Sequence, residues 1–118
     1  VSRIPECVAQ MQKLSEKYKI PIPCYGHAGD GNLHPNPYKN PDSTLEEWYE
    51  KIPKLMADIY KICVDLGGSV TGEHGIGNKK KPYLKYMLEP TEIQMIKSIK
   101  KALDPNLVLN PGKIVDFD

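Results

Sequence analysis

Gly26-His27-Ala28-Gly29-Asp30-Gly31-Asn32-Leu33-His34-Pro35 is the stretch on which the fold of this chain turns. Asp-Gly is a strong short-range hairpin signal, because a type I′ turn needs positive φ at both central residues and glycine adopts it freely. With Asp30 and Gly31 at the centre, Gly29 pairs with Asn32, Ala28 with Leu33 and His27 with His34. The strands extend back to Cys24-Tyr25 and forward over residues 33–38. An antiparallel pair flanked by helical patterns predicts an α+β fold, with helices on one face of an antiparallel sheet and a C-terminal helical segment.

Upstream, Ile4, Cys7, Val8, Met11, Leu14 and Tyr18 recur at steps of three and four, which predicts an amphipathic helix over residues 4–18. Downstream, Pro37 and Pro41 predict an extended loop or edge. Ser43 and Glu46 form a capping box ahead of Trp48, Ile52, Leu55, Met56, Ile59, Ile62, Cys63 and Leu66, the longest helix, bent or interrupted at Pro53. Gly67-Gly68 ends it. Residues 69–71 read as a short strand and residues 72–77 as a glycine-rich loop, a common place for chemistry.

Thr91 and Gln94 make a second capping box for a final helix carrying Ile93, Ile96, Ile99 and Leu103, with Lys97, Lys100 and Lys101 toward its negative end. The tail from Asp104 is irregular, and Val108 and Leu109 predict that it packs against something. Trp48, Tyr49 and Tyr60 fall at helical spacing and read as core rather than as a platform for bases.

In the predicted register, His27 and His34 face the same side. Directly opposed residues have Cβ atoms about 4.5–5.5 Å apart, near enough for both imidazoles to reach one ion at about 2.0–2.1 Å. Either histidine alone is more often structural; two of the chain's three, opposed across one turn, point to chelation. Glu73-His74, set between glycines, supplies a carboxylate and the remaining histidine. Adjacent side chains on an extended backbone point to opposite sides, so one of this pair ligates and the other is free for acid-base work. A His-His-carboxylate set suits a divalent ion and leaves positions open for a substrate. The bland alternative is a glycine-rich turn with a solvated Glu-His pair.

Other motifs fail on detail. The glycines do not form G-x-G-x-x-G, and Gly77 is followed by Asn78 rather than the lysine of a phosphate loop. H-E-x-x-H is absent. Lys79, Lys80 and Lys81 read as a solvated basic run.

The 118 residues suffice for one domain, and 40% hydrophobic content allows a core. A formal net charge of +1 gives no field to recruit nucleic acid or an anionic membrane. Cys7, Cys24 and Cys63 are odd in number and widely spaced, which disfavours a disulfide framework and predicts a reducing, cytoplasmic setting. No apolar run approaches a membrane span. The opening at Val1, straight into a helical pattern, predicts that chain lies upstream.

Three segments in order, GHAGDGNLHP (26–35), GGSVTGEHGIG (67–77) and LDPNLVLNPGKI (103–114), resemble the C-terminal domain of FAD-linked oxidases of the vanillyl-alcohol oxidase type. The resemblance is to members acting on 2-hydroxy acids: glycolate oxidase, D-lactate dehydrogenase and D-2-hydroxyglutarate dehydrogenase. It implies an incomplete ferredoxin-like substrate domain, with residues 1–89 as the metal and substrate part and residues 90–118 as a helix and flavin-facing tail. It further implies that His27, His34 and Glu73 hold a divalent metal, zinc or similar, that grips the substrate. His74 matches the general base, Asn36 a residue that places the substrate, and Asn110 a residue near the flavin.

The implied reaction is transfer of hydride from C2 of a small 2-hydroxy acid to FAD, as His74 takes the hydroxyl proton. The expected partners are an upstream FAD-binding domain and an electron-acceptor protein or other oxidase subunits. Without that domain the chain is expected to be inactive, since no site for the flavin's phosphates is evident. Two other classes remain open on the residues alone: a self-contained hydrolase using metal-activated water, and a non-catalytic binding module.

Overall fold

The first helix, α1 (Ile4–Tyr18), carries proline in its first turn, where a missing N–H costs nothing, and closes on Lys19 in the left-handed region with φ 56°. Its stripe of Cys7, Met11 and Leu14 is buried, as the periodicity predicts. In the computed structural model, which describes residues 1–117, α1 is followed by β1 (Cys24–His27), a 3-10 turn (Ala28–Asp30) and β2 (Asn32–Pro35). Then come α2 (Leu45–Asp65), a 3-10 helix (Lys81–Tyr86) and α3 (Pro90–Leu103). The class is α+β, with a two-stranded antiparallel sheet.

The second helix starts one residue later than its capping box predicts. The Ser43 hydroxyl donates to Asn40 O at 2.9 Å, so Thr44 takes the cap: its Oγ1 accepts from the Glu47 N–H at 3.1 Å, and Glu47 Oε2 accepts from the Thr44 N–H at 3.2 Å. Helix α2 is assigned continuously through Pro53 rather than interrupted there. It buries Leu55 and Ile59 against α1, while Cys24 and Leu33 of the hairpin pack on the same cluster. A polar clasp closes the pair: Lys17 Nζ and Tyr18 Oη donate to Asp58 Oδ2 at 2.8 and 2.9 Å. Tyr49 faces solvent instead of joining the core. Tyr60 meets Tyr83 with ring centroids 4.7 Å apart and fastens the 3-10 helix, an element the periodicity did not reveal, to α2. Burial pushes the Tyr60 hydroxyl up to about 12.

The hairpin forms, but its turn is longer than a two-residue one. Ala28–Asp30 make a 3-10 turn, Gly31 follows at φ 84°, and Asp30 Oδ1 accepts from the Asn32 N–H at 3.1 Å. The register is therefore Cys24↔Pro35, Tyr25↔His34, Gly26↔Leu33 and His27↔Asn32, not His27↔His34. The shift is even. Because faces alternate with period two, both histidines still share one face, together with Tyr25 and Asn32, while Cys24 and Leu33 turn to the helices. Gly26 is required there: with φ 145°, a Cβ would lie 2.3 Å from Asn32 O.

Residues 69–71 do not form the predicted strand. Ser69 Oγ accepts from the Thr71 N–H at 3.1 Å and donates to Thr71 O at 2.7 Å, a local closure that competes with a ladder. Val70 is nonetheless buried. Helix α3 begins at Pro90, with Glu92 Oε2 accepting from the Glu89 N–H at 2.7 Å, so Thr91 and Gln94 are not its capping pair. It buries none of its residues; Ile99 and Leu103 are 55% and 80% exposed. Val108 and Leu109 are also exposed, against the expectation that they pack, whereas Val115 further along is buried. The radius of gyration, 16.3 Å, exceeds the roughly 13.5 Å typical of a globular chain this long, as uncovered helix faces require.

Candidate functional site

The outward face of the hairpin carries the first half of the site. His27 and His34 lie diagonally across the sheet with ring centroids 6.2 Å apart, and Tyr25 stacks on His34 at 5.3 Å with 6° between planes. Such a stack fixes the imidazole plane. Asn32 Nδ2 lies 3.4 Å from His34 Nε2.

The second half comes from the bend at residues 72–74. Gly72 lets the backbone pass over Asn32, since a Cβ there would fall 2.1 Å from Asn32 Oδ1. That approach brings Glu73 Oε1 to 3.0 Å from His34 Nε2 and 3.4 Å from His74 Nε2. Behind the bend, Thr71 Oγ1 donates to Gly75 O at 3.0 Å. The Glu73 carboxyl is held below the usual carboxylate range chiefly by the Asn32 amide beside it; desolvation opposes this, and the charges of His74, His27 and His34 add to the lowering.

One ligand atom from each of His27, His34 and Glu73 lies within 4.8 Å of the other two. An ion about 2.0–2.1 Å from each donor needs them no more than roughly 4.2 Å apart, so side-chain torsions must close the remaining tenths of an ångström. Two neutral nitrogen donors and a carboxylate fit a divalent ion of the zinc, iron, cobalt or manganese kind. His74, 71% exposed, stands beside this group, its ring centroid 5.4 Å from that of His34. A donor set with an adjoining base can polarise a bound hydroxyl and accept its proton.

The other two predicted residues do not converge on this group. Asn36 is exposed, its N–H donating to Pro23 O at 3.0 Å. Asn110 is exposed on the tail at φ 47°, a left-handed conformation that asparagine tolerates. Among the described residues no hydrogen bond joins either to the three donors. Sequence reasoning missed Asn32 and Tyr25, although period-two alternation from His34 and His27 marks both as sharing their face.

Residues 1–114 match the family of FAD linked oxidases, C-terminal domain. The chain belongs to this family. It is 41% identical to glycolate oxidase subunit GlcD of Bacillus subtilis over 117 residues, 99% of this chain and 24% of that protein. It is 35% identical to a D-lactate dehydrogenase of Anaerostipes hadrus over 96% of its own length and 24% of the relative's. A D-2-hydroxyglutarate dehydrogenase of Stutzerimonas stutzeri is 34% identical over 97% of this chain and 25% of its own. The chain thus spans about a quarter of the length of these family members. Among the described residues no helix is long and apolar enough to cross a membrane.

Proposed function

We propose that this chain is the substrate-handling, C-terminal part of an FAD-dependent dehydrogenase or oxidase of small 2-hydroxy acids, of the glycolate or D-lactate kind. The observation that carries the reading is the convergence of His27, His34 and Glu73 with His74 at their edge. Family membership and the activities named for the relatives support the same chemistry.

In this reading His27, His34 and Glu73 are the cradle for a divalent ion, zinc or a similar one. When bound, that ion supplies Lewis acidity toward the substrate's hydroxyl and carboxylate, and FAD supplies the hydride acceptor. His74 Nε2 takes the hydroxyl proton. The ring so protonated stands beside the cradle, its Nε2 3.4 Å from Glu73 Oε1. Tyr25, stacked on His34, keeps that ring in its plane, so that loading the cradle needs only the small side-chain adjustment that brings the three donors within reach of one ion. Asn36 helps place the substrate, and Asn110, on the tail after α3, faces the flavin. Residues 1–89 handle metal and substrate and residues 90–118 the flavin side. The FAD-binding domain is a partner that this segment requires for turnover, reoxidation falls to an electron-acceptor protein or further subunits, and the setting is cytoplasmic.

The test begins with elemental mass spectrometry on tag-free chain. About one divalent metal per chain is expected, lost in both His34→Ala and Glu73→Ala. Joined to its FAD-binding domain, His74→Ala should keep the metal while turnover falls on the order of a hundredfold or more. Equal loss of metal and turnover would contradict the division of roles. Ester or phosphate hydrolysis by the chain alone, carried by the same four residues, would replace the dehydrogenase reading.

A further inference from the structure

Lys79, Lys80 and Lys81 read in sequence as a solvated run, and for two of them the structure differs. Lys81 is 24% exposed, and its ammonium bridges to the tail, donating to Gly112 O at 3.1 Å and Asp116 Oδ1 at 2.6 Å. Lys80 turns the other way and donates to Thr71 Oγ1 at 3.2 Å, while Thr71 itself bonds Gly75 O. Burial pulls the Lys80 ammonium down from its ordinary range.

Further bonds run in parallel. The Ile114 N–H donates to Gly77 O at 2.9 Å. The Asn78 amide, in the orientation that satisfies both partners, donates to Gly112 O at 2.8 Å and accepts from Lys113 Nζ at 2.8 Å. The segment 77–81 is thereby tied on one side to the loop bearing Glu73 and His74 and on the other to the turn that begins at Asn110. That turn is closed by the Lys113 N–H on Asn110 O at 3.3 Å. The loop and the tail are otherwise remote in sequence. Neither has regular secondary structure to hold it.

We infer that Lys81 is a positioning residue, which fixes the distance between the loop bearing His74 and the tail bearing Asn110. The inference rests on the proposed function for what that distance serves: His74 works on the substrate and Asn110 lies toward the flavin. An isolated surface lysine pair contributes little to stability. A lysine that also caps a carbonyl of the tail constrains geometry, and a displacement of about 1 Å between reacting groups can cost on the order of a hundredfold in rate.

The test uses the chain joined to its FAD-binding domain, in Lys81→Met and Lys81→Arg variants, with Lys79→Met from the same run as control. Flavin reduction by saturating glycolate or D-lactate should slow roughly tenfold in Lys81→Met, with the acid's dissociation constant and the metal content unchanged. Lys81→Arg, which keeps charge and donors, should recover most of the rate, and Lys79→Met should match the parent. Independently of activity, hydrogen exchange at the Ile114 and Val115 amides should quicken in Lys81→Met. Unchanged exchange overturns the clamp. Quickened exchange with an unchanged rate overturns its positioning role. If the parent reduces its flavin with neither acid while exchange still responds, the proposed substrate class fails and the clamp stands.

Discussion

Helices α2 and α3 carry apolar stripes of the same period, yet α2 buries Leu55 and Ile59 while α3 buries nothing. The difference lies in what surrounds them. Helix α2 has α1, the inner face of the hairpin and the tyrosine contact to residue 83 against it; α3 leaves Met95, Ile99 and Leu103 to solvent. A stripe tells which face must be covered and is silent about what covers it. The largest predicted effect follows directly. Leu55→Ala should destabilise the chain by about 2–5 kcal/mol, through lost transfer energy and a residual cavity. Ile99→Ala should fall within about 0.5 kcal/mol of the parent in the same urea titration, because it uncovers nothing and alanine favours helix. A loss at Ile99 comparable to that at Leu55 would mean that α3 is covered by this chain in solution.

The same contrast governs what was legible in the sequence. Where packing is local, pattern sufficed: the stripes of α1 and α2 and the existence of the hairpin are read from spacing alone. Boundaries failed where two residues competed for one role. Ser43-x-x-Glu46 and Thr44-x-x-Glu47 both spell a capping box, and the Asn40 carbonyl decides by engaging Ser43. The hairpin register failed because Asp30 bonds the Asn32 N–H from within a 3-10 turn. His27 and His34 stay on one face despite that error, since a slip of two leaves every hairpin side chain on its face, while Glu73 and His74 come from the bend outside the hairpin. The lysines of 80 and 81 were illegible because their partners lie in loops, where no periodicity announces a contact.

A middle-sized prediction separates the two helix starts. Thr44→Ala removes the acceptor of the Glu47 N–H and should cost about 1 kcal/mol of global stability, since α2 cannot fray without opening the core. Glu92→Ala removes the corresponding bond to the Glu89 N–H, and there the loss should remain local. Exchange of the first-turn amides of α3 should quicken while the urea midpoint stays in place. A fall in the midpoint equal to that of Thr44→Ala would show that the two helices unfold as one unit.

The smallest effect on global stability is a pH dependence, and it opposes Asp58 to Asp104. Both carboxyls are held below the ordinary range. For Asp58, partial burial pushes upward, but the hydrogen bonds from Lys17 and Tyr18 outweigh it. For Asp104, the Lys100 ammonium is the main cause, with help from the Leu109 and Val108 N–H groups at 2.9 and 3.1 Å. In each case the folded state binds fewer protons than the unfolded one. The stabilisation is therefore complete above the ordinary carboxylate value, about 3.9, and is lost as pH falls through the lowered folded value. Asp58 sits between α1 and α2, so its protonation should lower the urea midpoint. Asp104 joins α3 to the tail, so its protonation should release the Val108 and Leu109 amides and leave the midpoint alone. Asp104→Asn should flatten the pH response of those two amides and no others. If they keep full protection in the parent chain down to a pH at which NMR shows the Asp104 carboxyl itself to be protonated, the carboxylate is not what holds the tail, and the separation of a cooperative body from a loosely attached C-terminal helix loses its support at that end.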